Sequence, residues 1–392
     1  MRTQVGIIGA GPAGLLLAHL LRRAGIESVV LESRSRQYVI ERVRAGLLEQ
    51  GTVELMTDLG LADRLHAQGL VHHGLELRFA GKSHRIPLTE LTGQVMTIYG
   101  QNEIMKDLID ARLAAGDPLL FEAEAIAVED LTSDAPTIRF RQDGEEKVLA
   151  CDFIAGCDGF HGVCRGAIPD SMLQVYERDY PFGWVGILSE SPPVSDELVY
   201  VHHEQGFALF TMRSPMLSRL YLQCPHDDDV DNWPDERIWE QLHLRLGDYE
   251  GGRLAEGRIL QKGVTPMRSF VAAPMRHGRL FIAGDAAHIV PPTGAKGLNL
   301  AAADIRVLFR AIGNYYAKGS TDLIDRYSDI CLRRVWKAQR FSWWMTSMLH
   351  RFDDHSAFDR QVQVAELDYV TGSRAGMTAL AENYVGLPFE IA

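Results

Sequence analysis

Residues 4–32 read QVGIIGAGPAGLLLAHLLRRAGIESVVLE, and this stretch decides the fold. A short apolar run leads into Gly9, Gly11 and Gly14 in the order G-x-G-x-x-G, and an apolar helical pattern follows. A second apolar run ends at Glu32, 18 residues past Gly14. In such a strand–turn–helix unit the glycines permit the tight turn, let backbone approach a pyrophosphate and pack helix on strand, while the acid binds a ribose hydroxyl. The stretch therefore predicts an α/β, Rossmann-like domain that binds NAD or FAD.

Composition limits the classes of protein to consider. With 392 residues and 46% hydrophobic content, the chain can form two domains or one large domain with an insertion. The net charge of -12 and the sequence pI near 5.6 argue against binding to nucleic acid or to anionic membranes. Five cysteines without CxxC spacing predict buried, reduced thiols and no structural metal. Because no uninterrupted apolar run approaches the roughly 18 residues that span a bilayer, we expect a soluble protein, and the odd number of cysteines without CxxC spacing indicates the cytoplasm.

Two later motifs distinguish between the dinucleotides. In CDFIAGCDGFHGVCR (151–165) an apolar strand runs into Asp158, and in the segment from Gly278 another strand ends at Asp285 before a long helix that begins near Gly297. A helix N-terminus carries about half a positive charge, so it can hold a phosphate or stabilise an anionic reduced flavin. An NAD dehydrogenase would lack both motifs. With the glycine loop, they resemble the three-part signature of the FAD-dependent aromatic hydroxylases, flavoprotein monooxygenases that use one FAD.

The resemblance extends from end to end and is closest to the hydroxylases that act on 4-hydroxybenzoate. It rests on ERVRAGLLEQG (41–51), YGQ (99–101), LRRVWKAQRFSWWMTSMLHRF (332–352) and AENYVGLP (381–388). It implies that the enzyme converts 4-hydroxybenzoate to 3,4-dihydroxybenzoate with O2 and NAD(P)H, through a flavin C4a-hydroperoxide. Two alternatives stay open: a related FAD hydroxylase for another phenolic acid, and a non-catalytic FAD-binding protein.

The resemblance also implies which residues bind FAD. They belong to the glycine loop, the acid after the second strand, the Arg-x-Arg-Ala-Gly segment, the two later motifs and the start of the long helix. They are Gly9, Gly11, Ala13, Gly14, Glu32, Arg42, Val43, Arg44, Ala45, Gly46, Leu47, Gln101, Asp158, Arg219, Asp285, Gly297, Leu298 and Asn299.

Residues 207–223, FALFTMRSPMLSRLYLQ, predict a β-hairpin, because two alternating runs flank a Ser-Pro turn. Thr211 and Arg213 share one face of the first run, and Arg219 and Tyr221 share one face of the second. If the turn brings those faces together, two guanidinium groups and two hydroxyls form one patch. A solvated strand face is the usual interpretation of an isolated arginine on a hairpin.

By the resemblance, this patch binds the substrate carboxylate. Arg213 forks onto the carboxylate with two parallel hydrogen bonds, which suits its planar guanidinium, and Tyr221 and the Thr211 hydroxyl assist. Arg219 lies nearer the flavin. The expected substrate-binding residues are Tyr200, Thr211, Met212, Arg213, Tyr221 and Pro292.

The phenol end of the substrate needs proton transfer. With a pKa near 10, ionisation of a phenol at pH 7 is uphill by roughly 4 kcal/mol. The resemblance implies that Tyr200, Tyr384 and His72 carry this proton away, and that Pro292 offers its carbonyl to the phenol. Taken alone, each tyrosine is more simply a core residue with a satisfied hydroxyl, and His72 a loop residue beside His73.

NADPH is the favoured electron donor, with NADH as an alternative. No second G-x-G-x-x-G follows that would build a nicotinamide domain, so the donor is expected to bind transiently in a surface cleft. An arginine-rich run after Glu32 forms a local positive patch, although such a run is usually only a solvated face. The residues that the resemblance implies for this cofactor are Arg34, Tyr38, Arg42, Arg44, His161 and Arg268.

The order of the motifs predicts a split flavin domain. Its first part is residues 1–172 and its second part 275–320, with a strand-rich substrate domain at 173–274 and a helical C-terminal region at 321–392. A pocket at such a junction is common for ligand sites. The aromatic cluster FSWWMTSMLH (341–350) fits either a core or a subunit contact, and we expect a homodimer.

Overall fold

The computed structural model of this protein describes residues 1–41 and 46–389. The strands are β1 (Val5–Ile8), β2 (Ser28–Leu31), β3 (Leu47–Leu48), β4 (Leu70–His72), β5 (Leu75–Phe79), β6 (Lys82–Ile86), β7 (Met96–Ile98), β8 (Leu119–Leu120), β9 (Glu124–Glu129), β10 (Thr137–Gln142), β11 (Glu145–Ala150), β12 (Phe153–Gly156), β13 (Gln174–Glu190), β14 (Leu198–Val201), β15 (Ala208–Ser214), β16 (Leu217–Pro225), β17 (Arg258–Ala273), β18 (Arg276–His277), β19 (Leu280–Ile282) and β20 (His288–Ile289). The helices are α1 (Pro12–Arg23), α2 (Arg36–Glu41), α3 (Gln50–Asp58), α4 (Asp63–Gln68), α5 (Leu88–Thr92), α6 (Gln101–Ala114), α7 (Asp235–Leu246), α8 (Gly297–Lys318), α9 (Asp322–Asp325), α10 (Tyr327–Leu349), α11 (Ala357–Gly372) and α12 (Arg374–Val385).

A six-stranded sheet carries the predicted Rossmann-like unit. Its order is β18-β19-β12-β1-β2-β8, and all neighbours from β19 to β8 run parallel. Strand β1 is buried at all four positions, as expected for a parallel strand covered on both faces. The glycine loop, Glu32 and the turn after β19 all follow the carboxyl ends of these strands. They therefore meet at one edge of the sheet, where dinucleotides bind in such folds.

The second large sheet has eight strands in the order β20-β17-β13-β16-β15-β14-β5-β6. Neighbouring strands in this sheet are antiparallel, except for β14 and β5, which pair in parallel. Strands β5, β6 and β20 come from outside residues 173–274. The sheet therefore includes strands from the segments 1–172 and 275–320, which the motif order assigned to the flavin domain. One face packs on α7, a helix inside the segment described only as strand-rich. The other face packs against α10, α11 and α12.

The predicted hairpin is confirmed as β15 and β16. Thr211 lies opposite Arg219, and Leu209 lies opposite Tyr221. Leu209 also pairs with Tyr200 on the next strand, β14. Tyr200, Leu209 and Tyr221 therefore form one row on the same sheet face, with Thr211 and Arg219 two residues along it.

The C-terminal part of the chain forms helices α9 to α12, of which α10, α11 and α12 bring buried side chains onto that sheet face, whereas Ile324 of α9 packs in the core of the first sheet. All five cysteines are buried, as the sequence predicted. Across the described ranges, no helix has the length and apolar character needed to span a bilayer.

Candidate active site

The glycine loop has the geometry that its three glycines predict. Gly9 has φ +102°, a conformation that side chains disfavour, and a Cβ there would clash with the Cys157 carbonyl. A Cβ on Gly14 would clash with the Gly9 carbonyl, so this glycine allows helix α1 to pack on the loop. A Cβ on Gly11 would meet nothing within 4 Å, which leaves open space at the start of α1. Because no side chain caps this helix, its first N–H groups can bind a phosphate there.

Glu32 stands directly after β2 and faces the same loop. Its Oε2 accepts a hydrogen bond from Ala10 N at 2.8 Å, and its Oε1 accepts one from Arg34 N at 2.9 Å. The carboxylate is thus fixed by backbone on both sides. Oε1 also accepts from Ser33 Oγ at 3.4 Å, whereas Oε2 keeps a lone pair with which to accept a hydroxyl.

The turn after β19 meets both helix starts. Gly284 has φ +61°, and a Cβ there would lie 3.3 Å from the Ala301 Cβ in α8 and 3.7 Å from the Ala13 Cβ in α1. Asp285 follows in a short 3₁₀ helix, Gly284–Ala286. Gly297, the first residue of α8, likewise has open space where a Cβ would point. The N-termini of α1 and α8, neither of which has a side-chain cap, therefore both lie beside the turn that carries Asp285.

Among the other residues predicted to bind the flavin, Leu47 and Asn299 are joined directly. Gly46 leaves no room for a side chain against the Tyr99 carbonyl, and Leu47 O accepts a hydrogen bond from Asn299 Nδ2 at 3.0 Å. Leu298 packs partly buried on the core, and Gln101 begins α6. Arg42, Val43, Arg44 and Ala45 lie outside the described residues.

Asp158 has a role within its own loop. Its Oδ2 accepts a hydrogen bond from Cys164 N at 2.9 Å, whereas its buried Oδ1 has no hydrogen-bond partner in the described ranges. Burial raises the pKa of Asp158, although hydrogen bonds from Cys164 oppose the shift. This unpaired oxygen, just after the carboxyl end of β12, can accept a hydrogen bond from a hydroxyl of a bound nucleotide.

The hairpin arginines converge on Tyr221. Arg219 Nε donates to Tyr221 Oη at 3.3 Å, and the Arg219 guanidinium lies 5.2 Å from the ring centroid. Arg213 Nη1 donates to Met212 O at 2.9 Å and contacts Thr211 Oγ1 at 3.4 Å. Burial opposes ionisation of Tyr221, but Arg219 and Arg213 outweigh it and lower the pKa of Tyr221. The structure thus brings together all four residues of the predicted patch.

Each of these arginines has a donor to spare. Arg213 Nε and Arg219 Nη1 are buried and have no hydrogen-bond partner within residues 1–41 and 46–389. Burial lowers the pKa of Arg213, which reflects the cost of holding its charge away from water. Buried charged donors without partners are costly, so the pair is suited to an anionic ligand.

Two buried tyrosines lie at the other end of the row. Tyr200 Oη and Tyr384 Oη are 2.7 Å apart, and each side chain is only 1% exposed. Tyr200 Oη also donates to Thr293 O at 3.2 Å. Burial raises the pKa of both tyrosines, so both are neutral at physiological pH.

His72 and Pro292 stand less directly in this network. His72, at the end of β4, is buried, and neither ring nitrogen has a partner among the described residues. Burial lowers the pKa of His72 to about 4, against the opposing effect of Glu197. In the part of the chain that the structure describes, no direct hydrogen bond joins it to Tyr384. The Pro292 carbonyl accepts from Ala295 N at 2.9 Å, which leaves one lone pair for a phenol.

The described residues predicted for NAD(P)H form two pairs. The Arg34 guanidinium lies 5.3 Å from the ring centroid of Tyr38, which is exposed. His161 and Arg268 both pack on Phe160, with ring or guanidinium 5.0 Å from its centroid. An exposed ring beside a cation suits an adenine or a nucleotide phosphate.

Two buried ion pairs beside the site were not predicted from the sequence. Lys296 Nζ bonds Glu49 Oε1 at 2.7 Å just before α8, and His288 Nε2 bonds Asp304 Oδ2 at 2.6 Å behind the Asp285 turn. Burial alone would lower the pKa of His288, but Asp304 outweighs it and raises that pKa. Charged residues inside an apolar motif, as in AGDAAHIVPP, were the available signal.

Comparison with known families agrees with this geometry. Residues 2–342 match the family described as FAD binding domain. The chain belongs to this family of FAD-dependent aromatic monooxygenases. A p-nitrophenol 4-monooxygenase from Pseudomonas putida DLL-E4 has the same fold, with a TM-score of 0.82 over 99% of both chains at 20% identity.

A particular relative is far more similar in sequence. The p-hydroxybenzoate hydroxylase of Acinetobacter baylyi is 52% identical over 392 residues, which cover 100% of this chain and 97% of that protein. An uncharacterized aromatic compound monooxygenase of Bacillus subtilis is 27% identical over 348 residues, covering 84% of this chain and 65% of that one.

Proposed function

We propose that this protein hydroxylates 4-hydroxybenzoate at the 3-position, giving 3,4-dihydroxybenzoate with O2 and NADPH. One observation carries the proposal: the hairpin presents two arginines with unpartnered buried donors, and Tyr200 on the neighbouring strand is hydrogen-bonded to Tyr384 of α12. A benzoid ring with an anion at one end and a hydroxyl at the other complements both features. The full-length likeness to the Acinetobacter enzyme supports the same substrate.

The spacing of the two ends suits such a ring. Tyr200 and Tyr221 are separated by one intervening strand, so their Cα atoms are about 10 Å apart at the usual strand spacing. At one end, Arg213 would donate two hydrogen bonds to the carboxylate, with Thr211 and Tyr221 beside it. At the other end, the phenol would contact Tyr200 and the free lone pair of the Pro292 carbonyl.

The chain's own residues would hold the flavin and exclude water. Glu32 would accept a ribose hydroxyl, the starts of α1 and α8 would face the pyrophosphate and the flavin ring, and Asp285 would contact the ribityl chain. When bound, FAD supplies hydride acceptance from NADPH and the activation of O2. Tyr200 and Tyr384 would pass the phenol proton on, each hydroxyl giving one proton for the one it receives, and the ionised phenol would push electron density to its ortho carbon.

The donor site is proposed from the two pairs of residues. Arg34 and Tyr38 would bind the adenosine 2′-phosphate end, and His161 and Arg268 the rest of the cofactor. NADPH is favoured because an arginine beside an exposed ring suits the extra phosphate. NADH remains the alternative donor, and a steady-state comparison of the two distinguishes them.

We also propose a cytoplasmic homodimer, with the flavin domain split at residues 172, 274 and 320 as the motif order predicts. Trp336 and Trp343 are 43% and 44% exposed, one heptad apart on α10, and Tyr176 packs edge-on against Trp336. Large exposed aromatics are enriched at interfaces. Sedimentation should show a dimer for the wild type and for Leu244→Glu on α7, and a monomer for Trp343→Glu. A dimeric Trp343→Glu variant would contradict this surface.

The function is tested by NADPH oxidation of the purified yellow holoenzyme. We expect 4-hydroxybenzoate to stimulate NADPH consumption and to yield the 3,4-dihydroxy acid. Neither 4-methylphenol, which lacks the carboxylate, nor benzoate, which lacks the hydroxyl, should give a hydroxylated product. Equal stimulation by all three compounds would contradict the two-ended site, and stimulation by a different phenolic acid alone would favour the alternative substrate.

A further inference from the structure

The Thr293 carbonyl is an unassigned part of the tyrosine pair. Thr293 lies in the short 3₁₀ helix Pro292–Gly294, between β20 and α8, and is fully buried. Its carbonyl oxygen accepts a hydrogen bond from Tyr200 Oη at 3.2 Å. Its own hydroxyl contacts the Thr346 hydroxyl of α10 at 2.9 Å.

Counting protons assigns the direction of these bonds. Thr346 has a single hydroxyl proton and donates it to Ser342 O at 2.7 Å, so Thr293 must be the donor in the pair of threonines. In the same way, Tyr200 donates its single hydroxyl proton to the Thr293 carbonyl, which can only accept. Tyr384 must therefore donate to Tyr200.

This direction is opposite to the one that hydroxylation needs. To lose its proton, the phenol must donate to Tyr200 Oη while Tyr200 donates to Tyr384. In the structure the order is instead Tyr384 to Tyr200 to Thr293 O.

We infer that the Thr293 carbonyl, positioned by the Thr346 hydroxyl, competes with Tyr384 Oη for the Tyr200 proton. Until a phenol binds, it keeps the hydrogen bonds in the order Tyr384 to Tyr200 to Thr293 O. This rests on the proposed function. The incoming phenol donates to Tyr200 Oη, the Tyr200 proton turns from Thr293 O to Tyr384 Oη, and the Tyr384 proton is released outward. Each tyrosine oxygen gives one proton and receives one, and solvent water accepts the proton that leaves Tyr384, so the net change is one proton lost from the phenol. Thr346 is thus a positioning residue.

The chain offers a selective probe of this carbonyl. Threonine precedes glycine at three places, Thr92–Gly93, Thr293–Gly294 and Thr371–Gly372. Holoenzyme labelled with 13C-carbonyl threonine and 15N-glycine therefore gives three carbonyl resonances in an HNCO spectrum. A carbonyl that loses a hydrogen bond moves upfield, and the other two resonances serve as internal controls.

The first test needs no ligand. We expect Tyr200→Phe to move the Thr293 carbonyl resonance upfield, and Tyr384→Phe to leave it in place because Tyr200 still donates to Thr293. If Tyr200→Phe leaves that resonance unchanged, or if both variants shift it equally, the inference is wrong whatever the substrate is.

The second test uses ligands. In the wild type, 4-hydroxybenzoate should move the Thr293 resonance upfield, whereas benzoate, which cannot donate to Tyr200, should not. Equal shifts with both ligands would contradict the inferred reversal of the tyrosine hydrogen bonds on phenol binding. If 4-hydroxybenzoate fails to perturb even the flavin spectrum, the proposed substrate is wrong, and the ligand-free test still decides the resting direction.

A third variant tests Thr346. Thr346→Val should move the Thr293 resonance and lower the apparent pKa of bound 4-hydroxybenzoate, read from its ultraviolet absorption, because the competing acceptor is weakened. Thr378→Val is the matched control, since its Oγ1 makes the same kind of helical bond, to Arg374 O at 2.8 Å, on α12. A normal resonance and pKa in Thr346→Val would remove its positioning role.

Discussion

Replacing Arg213 by lysine is the sharpest perturbation of the proposed carboxylate clamp. Arg213 already uses Nη1 for Met212 O at 2.9 Å, which leaves its buried Nε and its other terminal nitrogen for a ligand. Lysine keeps the charge but has one nitrogen in place of a fork. The variant should therefore lose one of two charge-assisted hydrogen bonds to the substrate.

The expected cost follows from that single bond. A hydrogen bond to a charged group contributes about 1.5–3 kcal/mol, and each 1.4 kcal/mol is tenfold in affinity. The dissociation constant for 4-hydroxybenzoate should rise by about 10- to 150-fold. Binding of 4-methylphenol, which has no carboxylate, should be nearly unchanged.

Flavin fluorescence titration of the holoenzyme measures both ligands. Arg258→Lys is the matched control, because Arg258 also forks onto a carboxylate, Glu190, at 2.9 and 3.1 Å, but on the exposed edge of the sheet. It should bind 4-hydroxybenzoate as the wild type does. A wild-type dissociation constant in Arg213→Lys, or an equal loss for 4-methylphenol, would refute the assignment.

Three further results are expected. Tyr200→Phe should keep substrate-stimulated NADPH oxidation but yield hydrogen peroxide in place of dihydroxy product, and a product-to-NADPH ratio near that of the wild type would rule out its role. Gly11→Ala should weaken FAD binding but leave the thermal stability of the apoprotein unchanged, because its Cβ enters open space. Gly14→Ala should lower both FAD affinity and thermal stability, since its Cβ clashes with the loop backbone. If the two variants had equal effects on FAD affinity and on thermal stability, these roles would be contradicted. Since the pKa of His288 is raised by Asp304 despite burial, the ion pair contributes stability below the unfolded pKa of about 6.5 and loses it as pH rises through the folded pKa. Denaturant unfolding should show that fall in the wild type and a smaller one in His288→Gln, and identical pH profiles would count against the pair.

The parts of the fold that depend on local backbone requirements could be predicted from sequence. Gly9 at φ +102° and the close approach at Gly14 are such requirements, and the glycine pattern shows both. The alternation on either side of the Ser-Pro turn likewise predicted the row of Thr211 and Arg219, because side chains on a strand repeat every two residues.

The parts that depend on distant segments could not. Lys296 and Glu49 are 247 residues apart in sequence, and Thr293 meets Thr346 only because α10 packs over the 3₁₀ helix. Helix α7 had a local signal, with buried residues Ile238, Trp239 and Leu242 at helical spacing, but lies within a segment dominated by strands. Strands β5 and β6 join the second sheet through a parallel pairing that no local pattern marks.

In the proposed reaction, this site transfers one oxygen atom from O2 to the ring of 4-hydroxybenzoate. Turnover of the purified holoenzyme under 18O2 with NADPH, followed by mass spectrometry of the product, measures it directly. We expect 3,4-dihydroxybenzoate that carries one 18O atom, formed in near-equal amount to the NADPH consumed. NADPH oxidation that yields only hydrogen peroxide, or a product without label, would contradict it.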